Sequence, residues 1–244
     1  PLSGPCIGRN VNWTDNFVIG KVLSPIELGY YGVAYSLASY LIFVSSSISS
    51  IFVPIINPLF LSDQKKFLEL LFQMKKLNFI IAMFLGTIFI AFGNEIILLL
   101  FGSEFQNSTK SFIVLSFFFL IVNFFSFSQQ ILLLTKKTNF ILLNTVLWSS
   151  VNLIVNFLLV NYMGILGVAL SSGFSIFMLR LLENIKIHKT LNYPYFTNKN
   201  DYIKMIIISI FSIIVIKSFW IFIQGINLFL LIKFIIISEP ILKN

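Results

Sequence analysis

Residues 12–36 read NWTDNFVIGKVLSPIELGYYGVAYS. The first half is a semi-polar helical stretch carrying Asp15. A short linker with Lys21 and Glu27 follows, and a Gly-Tyr-Tyr-Gly step at 29–32 then opens a long apolar helix. What lies downstream is so apolar that the reading of this stretch decides the rest. A charge-bearing helix stands at the head of a hydrophobic bundle.

The 244 residues are 57% hydrophobic and only 11% charged, less than half the charged fraction of an ordinary soluble domain, about 25%. Mean hydropathy is +0.94. Apolar runs exceed the roughly 18 residues that mark a membrane span. The alternating segments of about 10 residues typical of membrane barrels are absent. The sequence therefore predicts an all-α, polytopic membrane helix bundle.

Eight spans are predicted, at 1–23, 29–60, 77–101, 111–134, 140–160, 163–182, 202–223 and 226–237. Residues 62–76, SDQKKFLELLFQMKK, read as a separate amphipathic helix in the headgroup region. Ser62 is its candidate cap, and lysines flank a stripe that includes Phe67, Leu71 and Met74. A tight TKKTN turn at 135–139 and a minimal turn at 161–164 join later spans. Arg180 opens a longer basic loop. The domains implied are a six-helix lobe at 1–183, a basic loop at 184–201, and two appended helices with a tail at 202–244. The chain starts at Pro1 without Met or a visible signal peptide, which reads as the distal part of a longer protein.

Net charge is +8, but twelve of the 17 basic residues fall in alternate loops or the C-terminal tail. That pattern is topology, with basic loops and C-terminus cytosolic, rather than a nucleic-acid footprint. A lone Cys6 and a lone His188 provide neither a disulfide nor a thiolate metal site. No Ser/His/Asp arrangement or phosphate loop is visible. The expectation is therefore a non-enzyme without cofactor or metal.

The candidate functional residues are polar groups inside spans. Arg9 and Asp15 lie six residues apart, about 600° of rotation, so they point to faces roughly 120° apart. Ionisable groups at bilayer depth are costly and mark pathways by default. Arg9 would attract an anionic headgroup, and Asp15 would take or release a coupling ion or proton. The plainer alternative is that Arg9 snorkels and Asp15 bonds a neighbouring helix. Asn12 extends this polar helix. Asn144, Asn152 and Asn156 share about one helical face. They suit helix–helix glue, worth about 0.6–2 kcal/mol per contact, or the lining of a polar path. Only Asp15 reads as a carboxylate deep in a span, with Glu95 near a span end.

Three stretches together resemble one family. They are WTDNFVIGKVLSPIELGYYGVAYSLA (13–38), NEIILLLFGSEFQNSTKSFIVLS (94–116) and LNTVLWSSVNLIVNFLLVNYMGILGVALSSG (143–173). They resemble, in order, parts of the polysaccharide (O-antigen and capsule) flippases of the multidrug/oligosaccharidyl-lipid/polysaccharide exporter superfamily. The resemblance covers residues 1–183. It implies two six-helix lobes around a cavity that alternates in access, with residues 1–183 as the second lobe and the first lobe missing from this chain. It also implies flipping of undecaprenyl-pyrophosphate-linked oligosaccharide across the bacterial inner membrane, for surface polysaccharide such as lipopolysaccharide O-antigen. A glycan polymerase of the same pathway is a possible partner. Arg9, Asn12, Asp15, Asn144, Asn152 and Asn156 would line the cavity. Alternatives are a cation-coupled multidrug exporter of the same superfamily and an inactive truncated copy. A membrane-embedded polymerase or transferase would need long outer loops with paired charges, and the outer loops here are short.

Overall fold

A computed structural model describes residues 6–191, with side chains described over residues 13–189. The helices read at 202–244 and most of the stretch read as a basic loop lie outside the described residues. Two compact units separate between Thr197 and Asn198. The first holds α1 (Cys6–Val22), α2 (Pro25–Ser62), α3 (Gln64–Ala91), α4 (Gly93–Phe101), α5 (Thr109–Val122), α6 (Ser128–Leu134), α7 (Thr138–Met163) and α8 (Ile165–Leu191). No strand occurs among the described residues. Five continuous or near-continuous helical stretches there are long and apolar enough to cross a membrane. The expected all-α membrane bundle is thus present. The count of eight spans is not reproduced: six were read in 1–183, and α1 is not among the five.

The linker after α1 is shorter than its sequence suggested. Ser24 caps α2, accepting from the Glu27 amide at 3.3 Å, while the Glu27 carboxylate accepts from the Ser24 amide at 3.4 Å. This reciprocal capping box, with Pro25 in the first turn, starts the helix four residues before the predicted Gly29. We predict that Ser24→Ala lowers stability by about 1 kcal/mol, the usual cost of a lost N-cap, read as a small drop in Tm. α2 then runs for 38 residues through Pro54 and Pro58, about 57 Å at 1.5 Å per residue.

The predicted interfacial helix at 62–76 does not exist as a separate element. α3 is one helix of 28 residues from Gln64 to Ala91. Phe67, Leu71 and Met74 are fully buried against Ile48 and Ile56 of α2 and Ile187 of α8. The apolar stripe meets protein rather than lipid, and Lys75 is only 9% exposed. The cap is Asp63, not Ser62. Its carboxylate accepts from the Lys66 amide at 3.0 Å, and that bond holds its pKa below the usual carboxylate range. The helix breaks at Phe92, and the short α4 completes the predicted 77–101 segment.

The predicted span at 111–134 is also discontinuous. α5 ends at Val122, a 3₁₀ turn occupies Asn123–Phe125, and α6 begins at Ser128. Phe127 sits in the left-handed region at φ 67°. There is no proline or glycine at the break. The Asn123 amide instead donates to the Phe119 carbonyl at 2.7 Å and to the Leu41 carbonyl at 3.3 Å. Its own oxygen accepts from Asn78 at 3.2 Å and from the Ser45 hydroxyl. A side chain thus competes with the helix ladder and supplies partners to backbone groups that the bilayer cannot satisfy.

The turns behave as read. α7 gives way to α8 through Gly164 at φ 57°, and α6 to α7 through Lys136 at φ 57°. α8 extends through Leu191, so the stretch read as a basic loop from Arg180 begins as helix. Glu183 and Asn184 point into the bundle, while His188 and Lys189 stay exposed. α7 packs on α8 and α1, α2 packs on α3 and α5, and α5 joins the two groups through α8.

Candidate functional site

α1, α2, α7 and α8 converge on Asp15, which is fully buried. One carboxylate oxygen accepts from the Tyr31 hydroxyl at 2.6 Å. The other accepts from Ser172 at 2.6 Å and from the Asn156 amide at 2.8 Å. A second layer surrounds Asn152. Its oxygen accepts from Thr14 at 2.7 Å and from Asn156 at 3.2 Å. Its amide donates to Ser172 at 3.0 Å and to Ser171 at 3.4 Å. Tyr35 stacks beside Tyr31, with ring centroids 6.1 Å apart.

Two features of this junction bear on function. All three groups bonded to the Asp15 carboxylate are neutral, and no ion pair reaches it among the described residues. Asn156 Oδ1 is buried with no hydrogen-bond partner there. A fully buried charge without a countercharge is among the costliest arrangements in a protein. In a membrane helix such a group is a candidate functional position.

The sequence-predicted residues divide into three sets. Asp15, Asn152 and Asn156 come together, and sequence spacing placed the asparagines correctly on one face. Asn144 shares that face, but its amide donates to the Leu179 carbonyl at 3.0 Å. It joins α7 to α8 apart from the Asp15 junction, which is the glue reading. Arg9 and Asn12 belong to α1, one to two turns before Asp15, and their side chains lie outside what is described.

Tyr31, Ser171, Ser172 and Thr14 were missed. Tyr31 sits in the Gly-Tyr-Tyr-Gly step and the serines in the SSG at 171–173, so small and hydroxyl residues were visible without a reason to pair them with Asp15. A second miss concerns charge. Glu183, placed in a loop by the sequence reading, lies in α8 and is fully buried. It pairs with Arg180 at 2.9 Å. Asp15 is therefore not the only carboxylate deep in a helix.

This fold and this junction define a multi-pass α-helical membrane protein. Residues 7–110 match a family model described as polysaccharide biosynthesis protein, and the resemblance to polysaccharide flippase-type proteins is borne out over that stretch. Asp15 and Tyr31 fall inside it, while Asn152, Asn156 and Ser172 lie beyond it. The chain is also 26% identical, over 188 residues or 76% of its length, to an uncharacterized membrane protein of Methanocaldococcus jannaschii. It spans only 36% of that relative's length.

Proposed function

We propose that this chain supplies one lobe of a transporter that flips undecaprenyl-pyrophosphate-linked oligosaccharide between membrane leaflets for surface polysaccharide synthesis. The observation that carries the reading is the Asp15 junction, a buried carboxylate held by neutral groups from three neighbouring helices. The family match supports the polysaccharide context. A lipid-linked sugar needs a wet, polar passage for its headgroup while its tail stays in the bilayer, so no bond need be made or broken.

In this reading residues 1–183 form the second lobe, and a partner lobe of about six spans completes the cavity. The two lobes alternate access, with basic loops and C-terminus on the cytosolic side of the inner membrane. Arg9 and Asn12, on the same helix as Asp15, meet the anionic headgroup. Asp15 takes up the coupling ion or proton, and its charge state shifts the packing of α1 against α7 and α8. Asn156 Oδ1, lacking a donor among the described residues, is a further oxygen available to a small cation.

A cation-coupled multidrug exporter is the second reading, and Glu183 is the observation in its favour. It ranks lower because Arg180 already compensates that carboxylate, leaving Asp15 rather than two buried acids without an ion pair among the described residues.

The test is Arg9→Ala in the full-length transporter, expressed in a strain lacking its own copy. Surface glycan is expected to fall about tenfold or more, with protein level in the membrane unchanged. Normal glycan export would remove Arg9 from the mechanism. Intact export without any added lipid-linked oligosaccharide dependence in reconstituted vesicles would overturn the substrate class.

A further inference from the structure

The break between α5 and α6 opens a second polar site, separate from the Asp15 junction. It is a small, half-open cleft of about 60 Å³, bounded by the middle of α2, the break itself, the start of α6 and Arg180 of α8. We propose that this cleft holds a sugar ring of the transported glycan, an inference that rests on the flippase reading.

Three observations carry the assignment. The first is an oriented but unsaturated guanidinium. Arg180 uses one terminal nitrogen for both its bonds, to Glu183 at 2.9 Å and to Gln129 at 3.2 Å. Its other nitrogens have no hydrogen-bond partner among the described residues, and its side chain lines the cleft. An arginine fork presents five N–H donors, so three remain for a ligand.

The second is an acceptor and donor set that suits hydroxyls. Ser126 lines the cleft, and its hydroxyl is buried just behind the wall with no partner among the described residues. Gln130 is anchored by Ser49 at 2.9 Å through its amide nitrogen, which leaves its carbonyl oxygen for the cleft. Gln129 is likewise anchored through its oxygen, leaving its amide. Sugar hydroxyls both donate and accept, and these groups offer both functions.

The third is the combination of charge and apolar lining. The buried Glu183 carboxylate neutralises Arg180, so the cleft has little net field with which to collect a phosphate. Phe125 and Phe127 contribute apolar surface beside the polar groups, a setting for the C–H face of a ring. The wall is mixed, with Ile42, Val122 and the two phenylalanines set among serines, amides and Arg180, a lining that offers hydrogen bonds and apolar contact together. A neutral polyhydroxylated ring fits it better than an anion. The backbone break also has a use here, because irregular backbone at membrane depth is tolerated where it lines a cavity.

The experiment is saturation-transfer NMR on the full chain in nanodiscs. The probes are glucose, galactose, mannose and N-acetylglucosamine, with inorganic phosphate as a competing arm. At least one sugar is expected to bind, with its signal reduced about fivefold or more by Arg180→Lys and by Gln129→Ala. Arg180→Lys keeps the charge facing Glu183, so loss of signal with retained Tm reports the fork and not the fold.

Absence of binding by all four sugars, or binding untouched by both variants, overturns the proposal. So does phosphate that displaces the sugar and binds more tightly, which would make the cleft an anion site. Sugar binding without transport of lipid-linked oligosaccharide would sink the flippase reading alone. Transport without sugar binding at the cleft would sink this inference alone.

Discussion

Asp15→Leu is expected to unfold the corner where α1 meets α7 and α8, while Asp15→Asn keeps it folded and removes the pH dependence of transport. The reason lies in the three donors that converge on one carboxylate. Leucine leaves Tyr31 Oη and Ser172 Oγ buried without their acceptor, and the Asn156 amide keeps only its bond to Asn152. Each orphaned group costs about 1–3 kcal/mol. Two such groups and a weakened third are a large share of a marginal stability of about 5–15 kcal/mol.

Asparagine is nearly isosteric. Its oxygen keeps the bonds from Ser172 and Asn156, and its amide donates to Tyr31 Oη, whose hydroxyl turns. The fold survives and the titratable charge is lost. Among the described residues the other titratable groups facing this position are Tyr31 and Tyr35 of α2, and α7 and α8 contribute only amides and hydroxyls. Tm of the solubilised protein checks the first half, and transport rate across the acid-to-neutral range checks the second. Unchanged pH dependence in Asp15→Asn would take ion coupling away from this residue.

The second large effect is expected at Gly167. A Cβ added there would sit 2.6 Å from the Leu159 carbonyl oxygen and 2.9 Å from its carbon. Those are backbone atoms of α7, which cannot rotate aside as a side chain does. Gly167→Ala therefore pries α8 from α7 at the start of their hairpin, just after Gly164 has turned the chain at positive φ. Overpacking of this kind costs about 1–3 kcal/mol. The hydrogen bonds from Asn152 to Ser171 and Ser172 lie between the same two helices, so the candidate site loosens with the hairpin.

Gly86 provides the contrast. A Cβ there meets the tip of the flexible Leu120 side chain at 2.8 Å, and Gly86→Ala should be the milder of the two. Thermal melts of the two variants side by side test this directly, and equal effects would refute the distinction between backbone and side-chain obstacles.

Sequence alone was enough to establish a helical membrane protein, because apolar runs of span length have no other stable home. It was enough for the turns at Gly164 and at the two lysines before α7, whose residue types announce them. It also singled out Asp15 as an anomaly and placed the asparagines of α7 on one face, since both follow from counting along a single helix.

What it could not decide was anything that depends on which helices meet. Thr14 and Asn152 are 138 residues apart, and no local pattern pairs them or brings Tyr31 and Ser172 to the same carboxylate. The start of α3 has the composition of a surface helix, and only its packing against α2 makes it part of the core. Asn123 breaks α5 because Leu41, Ser45 and Asn78 are there to engage its amide. Glu183 reads as a loop charge until Arg180 and Gln129 fold in beside it. In each case a residue's polarity was legible, but its partner was supplied by a distant segment, and the partner determined whether the charge was glue, a break or a site.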